Sequence, residues 1–513
     1  MSVAPDSPPP RLRAWPAMGL VVLTLAAIVL VRSQPDWPFQ QRNLATYVLL
    51  ILTSIGLLLW WLFGSRVRWR TRFRGLVWVL LVVGLVAALF RLKGVTGDFV
   101  PIVEFRWRST SIIESPTIVR PGTTISRSAE DFPQFLGPNR DGMLFRPTLS
   151  TNWSESPPRV AWRQPIGEGW SGFALVGERA ITQEQRGLEE WISAYNLSDG
   201  QLLWVHTNLA RYDTTIAGIG PRATPTVVSN RVYTLGATGI LDCLDLATGR
   251  RIWTRLLTED AACSIPEWGF AGSPWVEAGQ VVVQAGGADG KSLLSYRADS
   301  GEPIWSGGSA GVNYSSPFRV TLAGKPYLLI FGRRSFVAHD PATGAVLWDV
   351  PFGTGMPLVA NPIVVTPNRI LITAGYNVGA ELLEVIPGAS APISIWKSKR
   401  LKAKFANPVL RGGFVYGLDD GMLACLDVRD GSQRWKEGRY GHGQGLLLGE
   451  LYLLMSEPGE LILLRPTPDH PNELARFPVF DSKTWNPIAV RGDRLLARND
   501  KEVACLEIPL ASR

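Results

Sequence analysis

Six dipeptides of one kind recur along this chain: Thr224-Pro225, Ser273-Pro274, Ser316-Pro317, Asn361-Pro362, Asn407-Pro408 and Asn486-Pro487. Each joins a short hydroxyl or amide side chain to a proline, which cannot donate a ladder hydrogen bond and so belongs at the first residue of a strand. Just upstream lie residues richer in chemistry: Arg222, Glu267, Trp268, Tyr314, Lys404 and Trp485. Cations, aromatic planes and hydroxyl or amide donors are the ingredients of a binding site for a planar anion. The plainer reading is that the dipeptide is strand-entry punctuation, repeated because the strand is repeated. Other chemistries find less. The four histidines (His206, His339, His442, His470) stand at no metal-ligand spacing with one another or with a cysteine, so no metal site is expected. The glycines of SGGSAG (306–311) and YGHGQG (440–445) lack the flanking helix of a phosphate-binding loop. No catalytic residue is named by the sequence.

The elements that must position these residues are legible in a second repeat. AYNLSDGQLLW (194–204), CLDLATGRRIW (243–253), SYRADSGEPIW (295–305), AHDPATGAVLW (338–348) and CLDVRDGSQRW (425–435) each run an apolar strand into a turn glycine, then a second strand bearing tryptophan. Degenerate copies end at Trp162, Trp396 and Phe477. With Trp204, Trp253, Trp305, Trp348 and Trp435 the landmarks fall 39 to 52 residues apart, the length of one four-stranded propeller blade. Eight landmarks predict an all-β, eight-bladed β-propeller of antiparallel four-stranded blades; the weak copies near 396 and 477 leave seven as the alternative. The last strand, EVACLEI (502–508), stops before a tryptophan strand arrives, and the strand around Trp162 has no hairpin upstream. Pairing the two would close the ring and remove its exposed edges. The innermost strands would line the channel, placing the six polar side chains at one mouth as a candidate ligand- or partner-binding site. Cys243, Cys425 and Cys505 fall at equivalent places in different blades, too far apart to pair.

The repeats resemble those of the pyrroloquinoline-quinone (PQQ)-like β-propellers, in which (D/T)-G-x-x-x-W recurs in every blade. The resemblance covers residues 131–513, and DFPQFLGPNRDG (131–142) with GPRATPTVVSNRVYTLGATGILDCLDLATGRRIW (220–253) looks like a branch of bacterial membrane-anchored propellers. It implies that each blade tryptophan packs between neighbouring blades.

Residues 1–92 read as a membrane anchor. Three uncharged apolar runs, about 15–31, 44–63 and 75–90, precede the propeller, and a spanning helix needs about 20 such residues, with ~17 workable. Arg66, Arg68, Arg70, Arg72 and Arg74 crowd the short loop between the second and third runs. Arginine-rich short loops stay cytoplasmic, so the three crossings would deliver the propeller to the periplasm of a bacterium, beyond the inner membrane. Residues 93–130, rich in Ser, Thr, Pro and Arg, read as a periplasmic linker, with 97–108 against the membrane or the first blades. The net charge of +8 owes much to the arginine loop and does not argue for nucleic acid.

Two functions of different class follow. The first is a non-enzymatic, BamB-like interaction scaffold with a periplasmic or membrane protein partner and no cofactor. The second is a quinoprotein dehydrogenase or sensor holding PQQ, with calcium, at the channel mouth. Against the second, the chain has no adjacent Cys-Cys pair, no C-x-x-C-H haem attachment sequence and few residues beyond plain blades.

Overall fold

A computed structural model describes residues 12–34, 37–107 and 127–511. The chain divides into two compact units, 1–111 and 112–513. In the first, α1 (Trp15–Arg32), α2 (Phe39–Leu59) and α3 (Trp69–Leu89) are each long and apolar enough to cross a membrane. One π-helical turn, Trp60–Gly64, extends α2.

The helices outrun the apolar runs read from sequence. α2 begins five residues before position 44 and α3 six residues before position 75, because charge ends an apolar run without ending a helix. Arg70, Arg72 and Arg74 therefore sit on the first turns of α3, not in a loop. Arg72 donates to the carbonyls of Val67 and Leu62, and Trp61 Nε1 donates to Arg72 O at 3.0 Å. α1 and α2 meet at a Thr24–Thr53 hydroxyl contact of 2.6 Å. Part of the expected linker is also ordered: Phe90–Val95 and Pro101–Phe105 pair as a hairpin whose turn is tied to α2 through Asn43 Nδ2 and Asp98 O, 2.8 Å. Residues 108–126 of that linker lie outside the described residues.

The second unit holds eight antiparallel blades. Blades 1 to 7 occupy 174–208, 226–256, 275–307, 318–351, 363–398, 409–439 and 444–478. Blade 8 joins the three strands of 489–507 to Arg159–Pro165, with Cys505 opposite Trp162. The ring thus closes by pairing the C-terminal strand with an N-terminal one, as the two incomplete strands required. The buried Cys243, Cys425 and Cys505 are free thiols, pushed up to about 11, 11 and 12 by burial.

Most blades are joined to the next by a tryptophan. The rings of Trp162, Trp204, Trp253, Trp305 and Trp396 lie on the turn glycines Gly200, Gly249, Gly301, Gly344 and Gly431 of the following blade. Gly344, at φ +74°, shows the constraint: a methyl there would overlap the Trp305 ring, and its backbone is left-handed. Most of these indoles also donate across the interface. Trp162, Trp204, Trp253 and Trp396 bond the carbonyls of Leu197, Leu246, Ala298 and Val428 at 2.9 to 3.1 Å, and Trp435 bonds Thr467 O at 2.9 Å. Trp348 differs. It is equally buried, but its Nε1 has no partner among the described residues.

That contrast isolates the value of one indole bond. Trp204→Phe and Trp348→Phe truncate similar rings, but only the first breaks a hydrogen bond and orphans the Leu246 carbonyl. Trp204→Phe should lose about 1 kcal/mol more in denaturant unfolding of the detergent-purified chain; equal losses would mean the bond contributes nothing.

Candidate functional site

The polar residues ahead of the prolines form a circumferential chain of hydrogen bonds. Gly172 N donates to Thr224 Oγ1 (3.2 Å), Thr224 N to Ser273 Oγ (2.9 Å) and Ser273 N to Ser316 Oγ (2.9 Å). Ser316 N donates to Asn361 Oδ1 (3.3 Å), and Asn361 N to Asn407 Oδ1 (2.8 Å). Each side chain thus caps the backbone N–H of the equivalent residue in the preceding blade. Asn486 makes the link from blade 8 to blade 1 differently, donating Nδ2 to Gly169 O (3.0 Å) and Ser171 O (2.9 Å). All six polar side chains are buried. Proline's missing N–H is what lets this strand entry face the axis without an orphan donor.

The upstream residues gather on the same face, which carries the loops entering the innermost strands. Trp268 stacks on Tyr314 with centroids 5.6 Å apart. Arg222 lies over the Tyr212 ring at 4.6 Å and donates to Ala217 O and Gly218 O at 3.0 Å. Burial lowers the Arg222 guanidinium to about 10, against the opposing pull of Tyr212, Tyr314 and Glu190. Lys404 is buried with its Nζ 5.5 Å from the Tyr376 ring. Trp485 packs on Trp170 and Phe405, each at 5.0 Å, and donates to Glu457 Oε1 at 2.9 Å. Lys483 Nζ stands 4.0 Å from Trp485 and 4.7 Å from Trp170, at cation–π distance. Trp170 Nε1 bonds Ala217 O at 2.7 Å, the carbonyl that Arg222 also uses. The result is an aromatic rim with three cations set in it. Glu267 is exposed and contributes its carbonyl to Tyr212, not its carboxylate.

Sequence reading missed Trp170, Tyr212, Tyr376, Phe405 and Lys483. Trp170 stands two residues before Gly172, in register with Arg222 and Tyr314, but without the polar-Pro pair that marks the position elsewhere, and Tyr376 comes from a hairpin turn outside that register. Phe405 and Lys483 were one and two residues from named positions, and their neighbourhood was the available signal.

The opposite mouth is filled by the chain itself. Phe132 exchanges backbone bonds with Leu175 of blade 1 (2.8 and 2.7 Å), and Val227 N of blade 2 donates to Pro133 O (2.8 Å). Met143–Leu144 adds a fifth, parallel strand inside blade 7. Asp131 pairs with Arg491 of blade 8 at 2.9 Å. Residues 131–144 therefore span the innermost strands of opposite blades as a plug.

Residues 188–437, from the third strand of blade 1 to the outer strand of blade 6, match the family model described as outer membrane protein assembly factor BamB. Over these residues the chain is a BamB-like PQQ-repeat propeller. Among solved structures, the quinohemoprotein alcohol dehydrogenase from Comamonas testosteroni superposes with a TM-score of 0.51 at 14% identity, covering 76% of this chain and 82% of its own. BamB from Moraxella catarrhalis gives 0.49 at 14% identity over 69% and 99%. At 14% identity the likeness to the dehydrogenase shows the propeller fold alone. No curated protein matches the chain.

Behind Arg222 the propeller buries a carboxyl pair. Glu190 accepts from Ala237 N at 3.2 Å through Oε2, while its Oε1 has no partner among the described residues. Burial, reinforced by Asp242, raises Glu190 to about 7 despite the Ala237 bond and Arg222. A carboxyl raised in the folded state binds its proton more tightly there, so it draws stability down as pH rises from the unfolded value towards 7. Glu190→Gln should remove that part of the slope. Its melting temperature relative to the wild type should be higher at pH 8 than at pH 5; an unchanged difference would mean that Glu190 does not titrate in this range.

Proposed function

We propose that this chain is a scaffold of the bacterial envelope, held by α1 to α3 in the inner membrane, with its propeller in the periplasm and its rim face docking a protein partner. The observation that carries the reading is the character of the rim loops. Leu209 is 84% exposed and Leu188 68% exposed, and Ile216 and Ile265 are exposed beside them. All four stand on loops or turns of the face that carries the Trp268–Tyr314 stack and Arg222. Apolar side chains left in water beside aromatic and arginine groups are what a protein interface buries. The orientation is supported by the five arginines of residues 66–74 at the α2–α3 end, which favour the cytoplasmic side.

The quinone reading finds a poor fit in the same residues. Calcium-assisted PQQ binding needs hard oxygen ligands that converge on one point. Here the oxygens of Thr224, Ser273, Ser316, Asn361 and Asn407 already accept blade-to-blade N–H bonds. Among the described residues no three His, Cys, Asp or Glu side chains lie close enough to hold a metal ion.

Two measurements test this reading. A photo-crosslinking residue at Leu209 in the full chain should capture one discrete protein in cells, whereas the same residue at the exposed Phe145, on the plug side, should not; equal capture at both would overturn rim docking. PQQ titrated with calcium should give no saturable fluorescence change, and saturable calcium-dependent binding would reinstate the quinone reading.

A further inference from the structure

Arg140, in the plug, is a buried cation with no counter-charge among the described residues. It is 3% exposed. Its Nη1 donates to Gln134 Oε1 (3.1 Å) and Pro274 O (2.8 Å), and its Nη2 to Ser273 O (2.9 Å). Every one of these acceptors is neutral. No carboxylate among the described residues pairs with it, and its Nε has no partner. Burial by itself lowers the guanidinium to about 9, with no opposing carboxylate, so the group stays charged at neutral pH. The backbone there is left-handed, φ +59°, which a non-glycine residue adopts at a cost. The fold holds a strained residue in order to place a charge in the channel.

The partners of Arg140 belong to the hydrogen-bonded ring. It bonds the carbonyl of Ser273, whose N–H is capped by Ser316, which in turn is capped by Asn361, and Asn361 by Asn407. Asn361 and Asn407 are 4% and 3% exposed, and the Nδ2 of each has no partner among the described residues. Because their Oδ1 atoms accept backbone N–H groups, these amides cannot be turned round, and Nδ2 stays a donor. Asn486, in blade 8, has the reverse polarity: its unpartnered atom is Oδ1, an acceptor. Unmet donors and an uncompensated cation therefore lie on one arc of the ring, from blade 3 to blade 6.

We propose that the central channel binds a small anion, of halide to carboxylate size, between the Arg140 guanidinium and the side-chain amides of Asn361 and Asn407. An unpaired buried charge is costly, and an anion that satisfies it along with two orphan donors offsets that cost. The anion would then be a structural ligand joining the plug to the ring. This site is separate from the rim and does not depend on what docks there.

The test uses the full chain in detergent. Melting temperature is followed at constant ionic strength while sodium bromide or formate replaces the sodium salt of a bulky sulfonate. A binding site predicts a saturable rise, lost in Arg140→Gln and weakened in Arg140→Lys. An equal response to the bulky anion, or a rise that survives in Arg140→Gln, overturns the proposal. Should Arg140→Gln fail to fold, anomalous scattering from wild-type crystals grown in bromide decides. A peak within hydrogen-bond distance of Arg140 Nε or of Asn361 or Asn407 Nδ2 supports the site, and no peak there overturns it.

Discussion

The seating of a tryptophan ring on the turn glycine of the next blade is the contact on which the rest of this propeller depends. A single four-stranded blade cannot bury both of its faces, so its apolar residues are satisfied only by its neighbours. The repeat supplies both halves of the joint: Gly249 receives Trp204, and Trp253, four residues later in the same blade, covers Gly301. The indole adds a hydrogen bond to the large area that it buries. No glycine seat receives Trp348 or Trp435; Trp435 still bonds Thr467 O, whereas the buried Trp348 N–H has no partner among the described residues.

A second belt of joints runs around the axis. Side chains of Thr, Ser and Asn cap backbone N–H groups of the preceding blade, and proline follows each. This belt and the tryptophan belt hold the blades at two radii, so the rotation between blades is fixed at both. The acceptor oxygens of the polar ring are therefore committed to closure, and the rim stands above them. Trp170, Trp485 and Phe405 pack there around Lys483, and Trp268 stacks on Tyr314 near Arg222.

The plug changes what the channel can be. With residues 131–144 bonded to the innermost strands of blades 1, 2, 3 and 7, one mouth is occupied by the protein's own chain, and the aromatic rim stands at the other. Buried charge follows the same division. Glu184 near the ring closure is surrounded by Arg186, Ser193, Tyr195 and the amide of Gly167, a fully partnered group. Arg140 in the plug is not.

The repeat period, the turn glycines with their tryptophans and the two incomplete terminal strands indicated, from sequence, eight blades with seven as the alternative, and how the ring closes; the eight sheets decided the count. These depend on contacts between units one period apart, and such contacts leave a periodic trace. The apolar runs likewise identified three helices, though not their ends, since Arg70 to Arg74 extend α3 beyond its apolar stretch. Tertiary structure alone decided what the polar-Pro residues do. A Ser or Asn at a strand entry has the same composition whether it faces a ligand or caps a neighbouring N–H, and only the placement of the adjacent blade distinguishes the two. The same holds for Arg140 and for rim residues such as Tyr376 and Tyr212. They are brought together from non-repeating loops and turns whose spacing in the chain carries no record of where the closed ring puts them.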